Sequence, residues 1–263
     1  MTYFNIAQWL RGALFVVPAA ESRSGADDGR HRSRQVIKDA RNLGAEVEII
    51  RGDVSLLADM RKVFIGPKRP IRGVNQGAMV LRDKMLEVMT LQEYHEALAC
   101  KHTGTWNLHR AATEQQGINL DFFIMLSSIS GVVGTGSQSN YAAGNTFQGA
   151  FALYRHSLGL AAHSTNLGII EDVGYLSQNE VLSDRMQSRS GLLRTGELQL
   201  HGILELSILQ QTIGLELKGR DKEAGQMITG LPFPLPEDSP LSEDVRFRSL
   251  LAPHISEDND DEA

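Results

Sequence analysis

The run Leu120–Leu126 (LDFFIML) constrains this chain more than any other feature. It is apolar at every position but Asp121 and ends abruptly in Ser127-Ser128. A run without amphipathic alternation fits a parallel strand buried on both faces. Such a strand needs helices on both sides, and the flanking sequence supplies them by alternation. Leu14–Val17 reads as a short strand, Ser33–Leu43 as a helix stopped by Gly44, and Glu46–Ile50 as the next strand. Leu56–Phe64 reads as a helix closed by Gly66 and Pro67, and Arg72–Val74 opens a strand that Gln76-Gly77-Ala78 leaves. Thr90 and Glu93 form a capping box ahead of a long helix. Leu91, Tyr94, Leu98, Thr105, Leu108 and Ala112 recur along that helix at helical spacing. A helix from about Gln138 to Ser157 and a strand near His163–Leu167 follow the central run. This alternation predicts an α/β fold with a doubly wound parallel sheet.

The bulk properties remove several function classes. With 263 residues, 41% of them apolar, the chain holds one sizeable core. The reading places that domain at 1–215 and a largely disordered linker and acidic tail at 216–263. Pro232, Pro234, Pro236 and Pro240 mark the linker, and Glu257, Asp258, Asp260, Asp261 and Glu262 mark the tail. A formal charge of −6 and a pI near 5.8 argue against nucleic acid and acidic membrane surfaces as partners. Cys100 is the single cysteine, so neither a disulfide framework nor a thiolate metal site is expected. A reducing, cytoplasmic location is the expectation. No apolar stretch has the ~18 residues of a membrane span. Gly12–Ala20, preceded by Arg11, has some marks of a signal peptide but reads as a buried strand.

In an open α/β sheet, ligands bind at the carboxyl ends of the strands. That rule selects four glycine-containing loops: Ser22–Gly25, Gly52–Ser55, Gln76–Met79 and Ser127–Gly136. Ser128 ends the central strand. Tyr141 lies one or two turns into the next helix, and Asn145 lies one turn further along the same face. Reduction of a carbonyl needs a proton donor beside the oxygen and a hydroxyl to hold it. A phenol has an unperturbed pKa of about 10, and a nearby ammonium lowers it. Lys101, on the preceding long helix, can supply that charge. Each residue alone is ordinary: paired serines are common at strand ends, and a lone lysine is usually solvated. The combination carries the weight.

Two runs, Leu126-Ser127-Ser128-Ile129-Ser130-Gly131 with Gly134, and Asn140-Tyr141-Ala142-Ala143-Gly144-Asn145, resemble the ketoreductase domain of polyketide synthases. The segments RGVNQGAMVLRDKMLEVMT (72–90), CKHTGTWNLH (100–109), NLGIIEDVGY (166–175) and QMITGLPFPLPEDSPL (226–241) are similar to the fungal highly reducing type. The resemblance runs from about Gln8 to Pro253. It implies a short-chain dehydrogenase fold, Rossmann-like, with Tyr141 as proton donor and Ser128 holding the substrate carbonyl. It makes Lys101 and Asn145 the remaining members of the tetrad. Arg23 and Ser24 follow the second family strand, where a guanidinium forks onto a ribose 2′-phosphate and favours NADPH. Asp53 and Val54 match the adenine contact, and Gly77 and Ala78 line the cofactor side of the next strand end. Leu81-Arg82-Asp83 stands where a stereochemical motif occurs in one ketoreductase class, a pointer to a D-hydroxyl product.

One departure is expected to matter. The family begins with a strand and a glycine-rich turn that seats the cofactor's pyrophosphate. Met1–Ala13 reads instead as starting inside the helix that follows that turn. The sheet is then expected to lack its first strand and to leave a central edge unpaired. Gly131, Gly134 and Gly136 belong to the active-site loop and do not replace the fingerprint. The resemblance implies NADPH-dependent reduction of a β-keto thioester, carried by an acyl carrier protein and in association with other synthase domains. Two other readings stay open: a non-catalytic remnant or truncated product unable to bind the dinucleotide, and a stand-alone reductase of a free small ketone.

Overall fold

In a computed structural model of the chain, the described residues are 13–16, 35, 37–42, 44–48, 50–66, 70–116, 120–171, 191–212 and 225–251. Five parallel strands form the main sheet in the order β1 (Ala13–Val16), β2 (Gly73–Gln76), β3 (Phe122–Ser128), β4 (His163–Leu167) and β7 (Gln226–Ile228). The central run is the central strand, and Phe122, Phe123, Ile124 and Met125 are all buried. Helices α1 (Leu57–Ile65), α2 (Leu91–Gln116) and α4 (Ser139–Ser157) accompany the sheet, with the short α3 (Ser130–Val133) between β3 and α4.

The sheet is buried on both faces, as the composition of β3 demands. On one face Val74, Phe123 and Met125 join a core with Met60, Phe64, Leu108, Ala112 and Phe151. On the other, Phe122 and Ile124 pack with Ile208 of α5 (Glu197–Thr212). Gln211 on α5 also accepts a hydrogen bond from the Phe123 main-chain N–H at 2.9 Å. Burying the apolar surface of these side chains is worth roughly 1.5–3 kcal/mol for each large one. The capping box forms as expected: Thr90 N–H and Oγ1–H both donate to Glu93 Oε2 at 2.9 Å. Leu91, by contrast, faces solvent at 72% exposure, because the first turn of α2 projects beyond the sheet-covering stretch that begins near Ala97.

Two expectations are corrected. No strand forms over 45–48, where Glu46–Ile50 was expected to begin one. The edge of β2 expected to be open is closed by β1, in parallel register from Ala13–Gly73 to Val16–Gln76. The glycine-rich turn itself concerns a segment, Met1–Ala13, that lies almost wholly outside the described residues, as do Arg23 and Ser24.

The chain beyond 215 carries secondary structure. Gln226–Ile228 is the last strand of the main sheet, paired with Ser164–Asn166. The chain divides into two compact units, Met1–Leu167 with His201–Ile228, and Gly168–Leu200 with Thr229–Ala263. In the second unit, β5 (Ile169–Ile170) pairs with β6 (Arg194–Thr195), and Leu235 bridges to Leu251. Leu235 and Phe247 are buried there, so the proline-rich stretch is packed chain. The prolines do exclude a regular ladder, and of the apolar residues among them Leu235 is buried while Phe233 is exposed. No helix among the described residues is long and apolar enough to cross a membrane.

Candidate active site

The strand–turn–helix from β3 to α4 brings Ser128, Tyr141 and Asn145 together. Ser127 and Ser128 end β3, and α3 turns the chain into α4. Gly131 makes that turn close: a Cβ there would lie 2.8 Å from Asn145 Cβ and from Thr146 N. The Ser128 hydroxyl accepts from Ser130 N–H at 3.2 Å, which orients it. Both Ser128 and Asn145 interact through their side chains with the Tyr141 phenol. Asn145 is fully buried and bonded on two sides. Its Nδ2 donates to Tyr141 O at 2.8 Å, and its Oδ1 accepts from Ser127 Oγ at 3.2 Å.

Lys101 rises into the same cluster from α2. Gly144 lets the helices meet there, since a Cβ on it would sit 3.1 Å from Lys101 Cβ. The lysine is 2% exposed, and its Nζ lies 5.7 Å from the centroid of the Tyr141 ring. Nζ donates to Leu126 O at 2.7 Å. Burial pushes the ammonium down to about 8. Burial pushes the Tyr141 phenol upward, and its bonds with Ser128 and Asn145 only partly oppose that. The expectation of a phenol lowered by Lys101 is thus not met in this geometry. The ammonium is itself desolvated and spends its shortest bond on the Leu126 carbonyl. The consequence is a phenol that keeps its proton at neutral pH.

The other candidate residues lie in two segments, 53–54 ahead of α1 and 77–78 directly after β2. Val54 is buried, and its carbonyl accepts from Asn107 Nδ2 of α2 at 3.0 Å. Asp53 is exposed, with Oδ1 accepting from Ser55 N–H at 2.8 Å and from Ser55 Oγ at 2.7 Å. Ala78 N–H donates to Gln76 Oε1 at 3.0 Å, while Gln76 Nε2 donates to Cys100 O at 2.8 Å. Gly77 stays half-buried. Asn75 Oδ1 is buried with no partner. The exposed Asp53 carboxylate, the small residues Gly77 and Ala78 and the unpartnered Asn75 acceptor are the groups here that could meet a dinucleotide. No group of side chains among the described residues could hold a metal ion.

Sequence spacing missed two buried polar residues at this site. Asn140 is fully buried; its Nδ2 donates to Arg82 O at 3.0 Å, and its Oδ1 accepts from Tyr141 N–H at 2.7 Å. It ties the segment after β2 to the residue before Tyr141. Gln138 reinforces the tie by donating to Asp83 Oδ2 at 3.0 Å. Gln148 is the second. A polar residue with no charge and no motif looks like solvated helix surface in a sequence; only a strict i, i+4, i+7 reading from Tyr141 through Asn145 could have found it.

A model of the KR domain matches residues 5–172. The chain belongs to the ketoreductase (KR) domain family. It is 44% identical over 241 residues to a highly reducing polyketide synthase of Arthrinium phaeospermum, covering 92% of this chain and 10% of that protein. A highly reducing polyketide synthase of Eupenicillium brefeldianum is 45% identical over 239 residues, covering 91% and 10%. The ketoreductase chain therefore spans about a tenth of the length of these relatives. Among solved structures, an A1-type ketoreductase matches with a TM-score of 0.68 at 25% identity, covering 92% of this chain and 48% of that one. A ketoreductase domain from the bacillaene assembly line matches with a TM-score of 0.65 at 24% identity, covering 85% and 50%. The family is one of nicotinamide-dinucleotide-dependent reductases.

Proposed function

We propose that this ketoreductase chain reduces a β-keto thioester to a β-hydroxy thioester with NADPH, as one domain of a polyketide synthase. The observation that carries the reading is the buried Tyr141 phenol, interacting with Ser128 and Asn145, with Lys101 Nζ 5.7 Å from its ring centroid. NADPH, when bound, supplies the hydride. Ser128 holds the substrate carbonyl by its hydroxyl, which polarises the carbon for attack. Tyr141 then gives its phenolic proton to the oxygen as negative charge develops there. Lys101 steadies the phenolate left behind, and Asn145 fixes the helix turn on which Tyr141 sits. Arg23 and Ser24 are the residues we assign to the 2′-phosphate, with Asp53 and Val54 at the adenine and Gly77 and Ala78 along the ring-bearing end.

The substrate is taken to arrive on the pantetheine arm of an acyl carrier protein, because the relatives are large synthases and the carbonyl site opens at the strand ends. The test uses the purified chain, NADPH and two substrates, a β-keto acyl-pantetheine thioester and a free ketone of similar size. Saturable NADPH binding and preference for the thioester are expected. No NADPH binding would favour the remnant reading, and preference for the free ketone would favour the stand-alone reductase.

A further inference from the structure

Lys101 is a buried cation with no carboxylate bonded to it among the described residues. An ammonium has three protons to place and no acceptor of its own. One proton goes to Leu126 O at 2.7 Å. The side-chain group facing another is Gln148 Oε1, at 3.4 Å. Gln148 lies on α4 two turns beyond Tyr141, and none of its surface is exposed. Its Nε2 faces Thr105 Oγ1, also at 3.4 Å, and Thr105 is fully buried one turn along α2 from Lys101. The orientation of the amide follows from chemistry: a lysine only donates, so the amide oxygen must face it and the nitrogen must face the hydroxyl.

We propose that Gln148 is a positioning residue for Lys101: a neutral acceptor, oriented by Thr105, that holds the buried ammonium beneath Tyr141 without fixing its charge as a carboxylate would. The proposal rests on the reading of Tyr141 and Lys101 as the proton-transfer pair. Other titratable groups face this cluster from each element around it. Cys100 precedes Lys101 on α2 and Tyr141 faces it from α4, while Asp83, in the segment after β2, acts on Tyr141. β3 contributes the Leu126 carbonyl. None of these supplies a carboxylate in contact with Nζ. The charge on Lys101 is therefore free to respond to its surroundings, and burial alone brings it to about 8. A glutamate at 148 would remove that freedom.

The experiment is a titration of the Lys101 side chain by NMR, with lysine labelled at Cε and the Lys101→Arg variant identifying its signal. Gln148→Glu should raise the Lys101 midpoint by about one pH unit or more. Gln148→Met keeps the length but removes the acceptor, and should lower the midpoint. Thr105→Val leaves the amide unanchored and should lower it by less; it stands in if a residue-148 variant does not fold. The alkaline limb of kcat should move with the midpoint in each variant, while KM stays within about twofold. An unchanged midpoint in all variants, or movement of Glu and Met variants in the same direction, would overturn the role of Gln148. A shifting midpoint in a chain with no turnover would instead overturn the proposed function and leave Gln148 in place.

Discussion

The interface between α2 and α4 buries two cations, and they behave differently. Lys101 lies at the candidate active-site end and Arg155 at the other, each 2% exposed and neither bonded to a carboxylate among the described residues. Arg155 is held by two hydrogen bonds and a ring contact. Its Nε donates to Ala161 O at 3.0 Å, its Nη1 donates to His109 Nδ1 at 2.7 Å, and its guanidinium lies 4.2 Å from the centroid of the Phe123 ring. Around this pair Trp106, Phe151 and Tyr154 form an aromatic cluster. Burial lowers Arg155 only to about 10, so it stays charged under all ordinary conditions. Lys101, lowered to about 8, does not. The same helix pair uses a planar, permanently charged group to fasten its outer end, and a compact, titratable one where protons move. The buried arginine braces the helix pair, and the buried lysine is the group we propose for the chemistry.

Four results would break or sharpen that contrast. Lys101→Met should cut turnover by on the order of 10²–10⁴-fold while the protein stays folded, as measured by steady-state kinetics and circular dichroism. Arg155→Met should do the reverse. It strands the Ala161 carbonyl and the His109 nitrogen, costing roughly 2–4 kcal/mol of stability in chemical denaturation, with turnover per folded molecule retained. Gly131→Ala should fall between the two. The added methyl drives against Asn145, costing about 1–3 kcal/mol, and it should also lower kcat because Asn145 positions Tyr141.

The smallest effect is in the pH dependence of stability. His109 and His163 are both pushed down to about 4 by burial, from an unfolded value near 6.5. The unfolded chain binds more protons between those values, so stability should be lost as pH falls from 6.5 through 4. Lys101 acts in the alkaline window. Its folded value lies below the unfolded 10.5, so its cost is full below about 8 and is relieved as pH rises towards 10.5. Melting temperature against pH, compared with Lys101→Met and His109→Asn, separates the two windows. A wild-type profile identical to both variants would remove the contrast.

Much of this was legible in the sequence, and what was missed has physical causes. The central strand announced itself because burial on both faces leaves no room for polar residues before Ser127. Tyr141 and Asn145 were legible because one turn of helix fixes their spacing, and the Thr90–Glu93 cap because its chemistry is local. Gln148, Asn140 and Arg155 were not, since a polar side chain on a helix reads as surface until the facing helix is in place. The strand Gln226–Ile228 was missed because it spans three residues, only one of them half-buried, and draws its stability from β4. The opposite error over 45–48 comes from composition alone: a strand-like run is not a strand until a neighbouring strand pairs with it.

The central claim is that Tyr141 delivers the proton in reduction of a β-keto thioester. The most direct measurement is NADPH oxidation by the wild-type chain and by Tyr141→Phe, at saturating β-keto acyl-pantetheine, with NADPH binding and melting temperature recorded for both. The account predicts turnover in the wild type, a loss on the order of 10²-fold or more in the variant, and unchanged NADPH affinity and fold. Wild-type turnover that survives in Tyr141→Phe would contradict it.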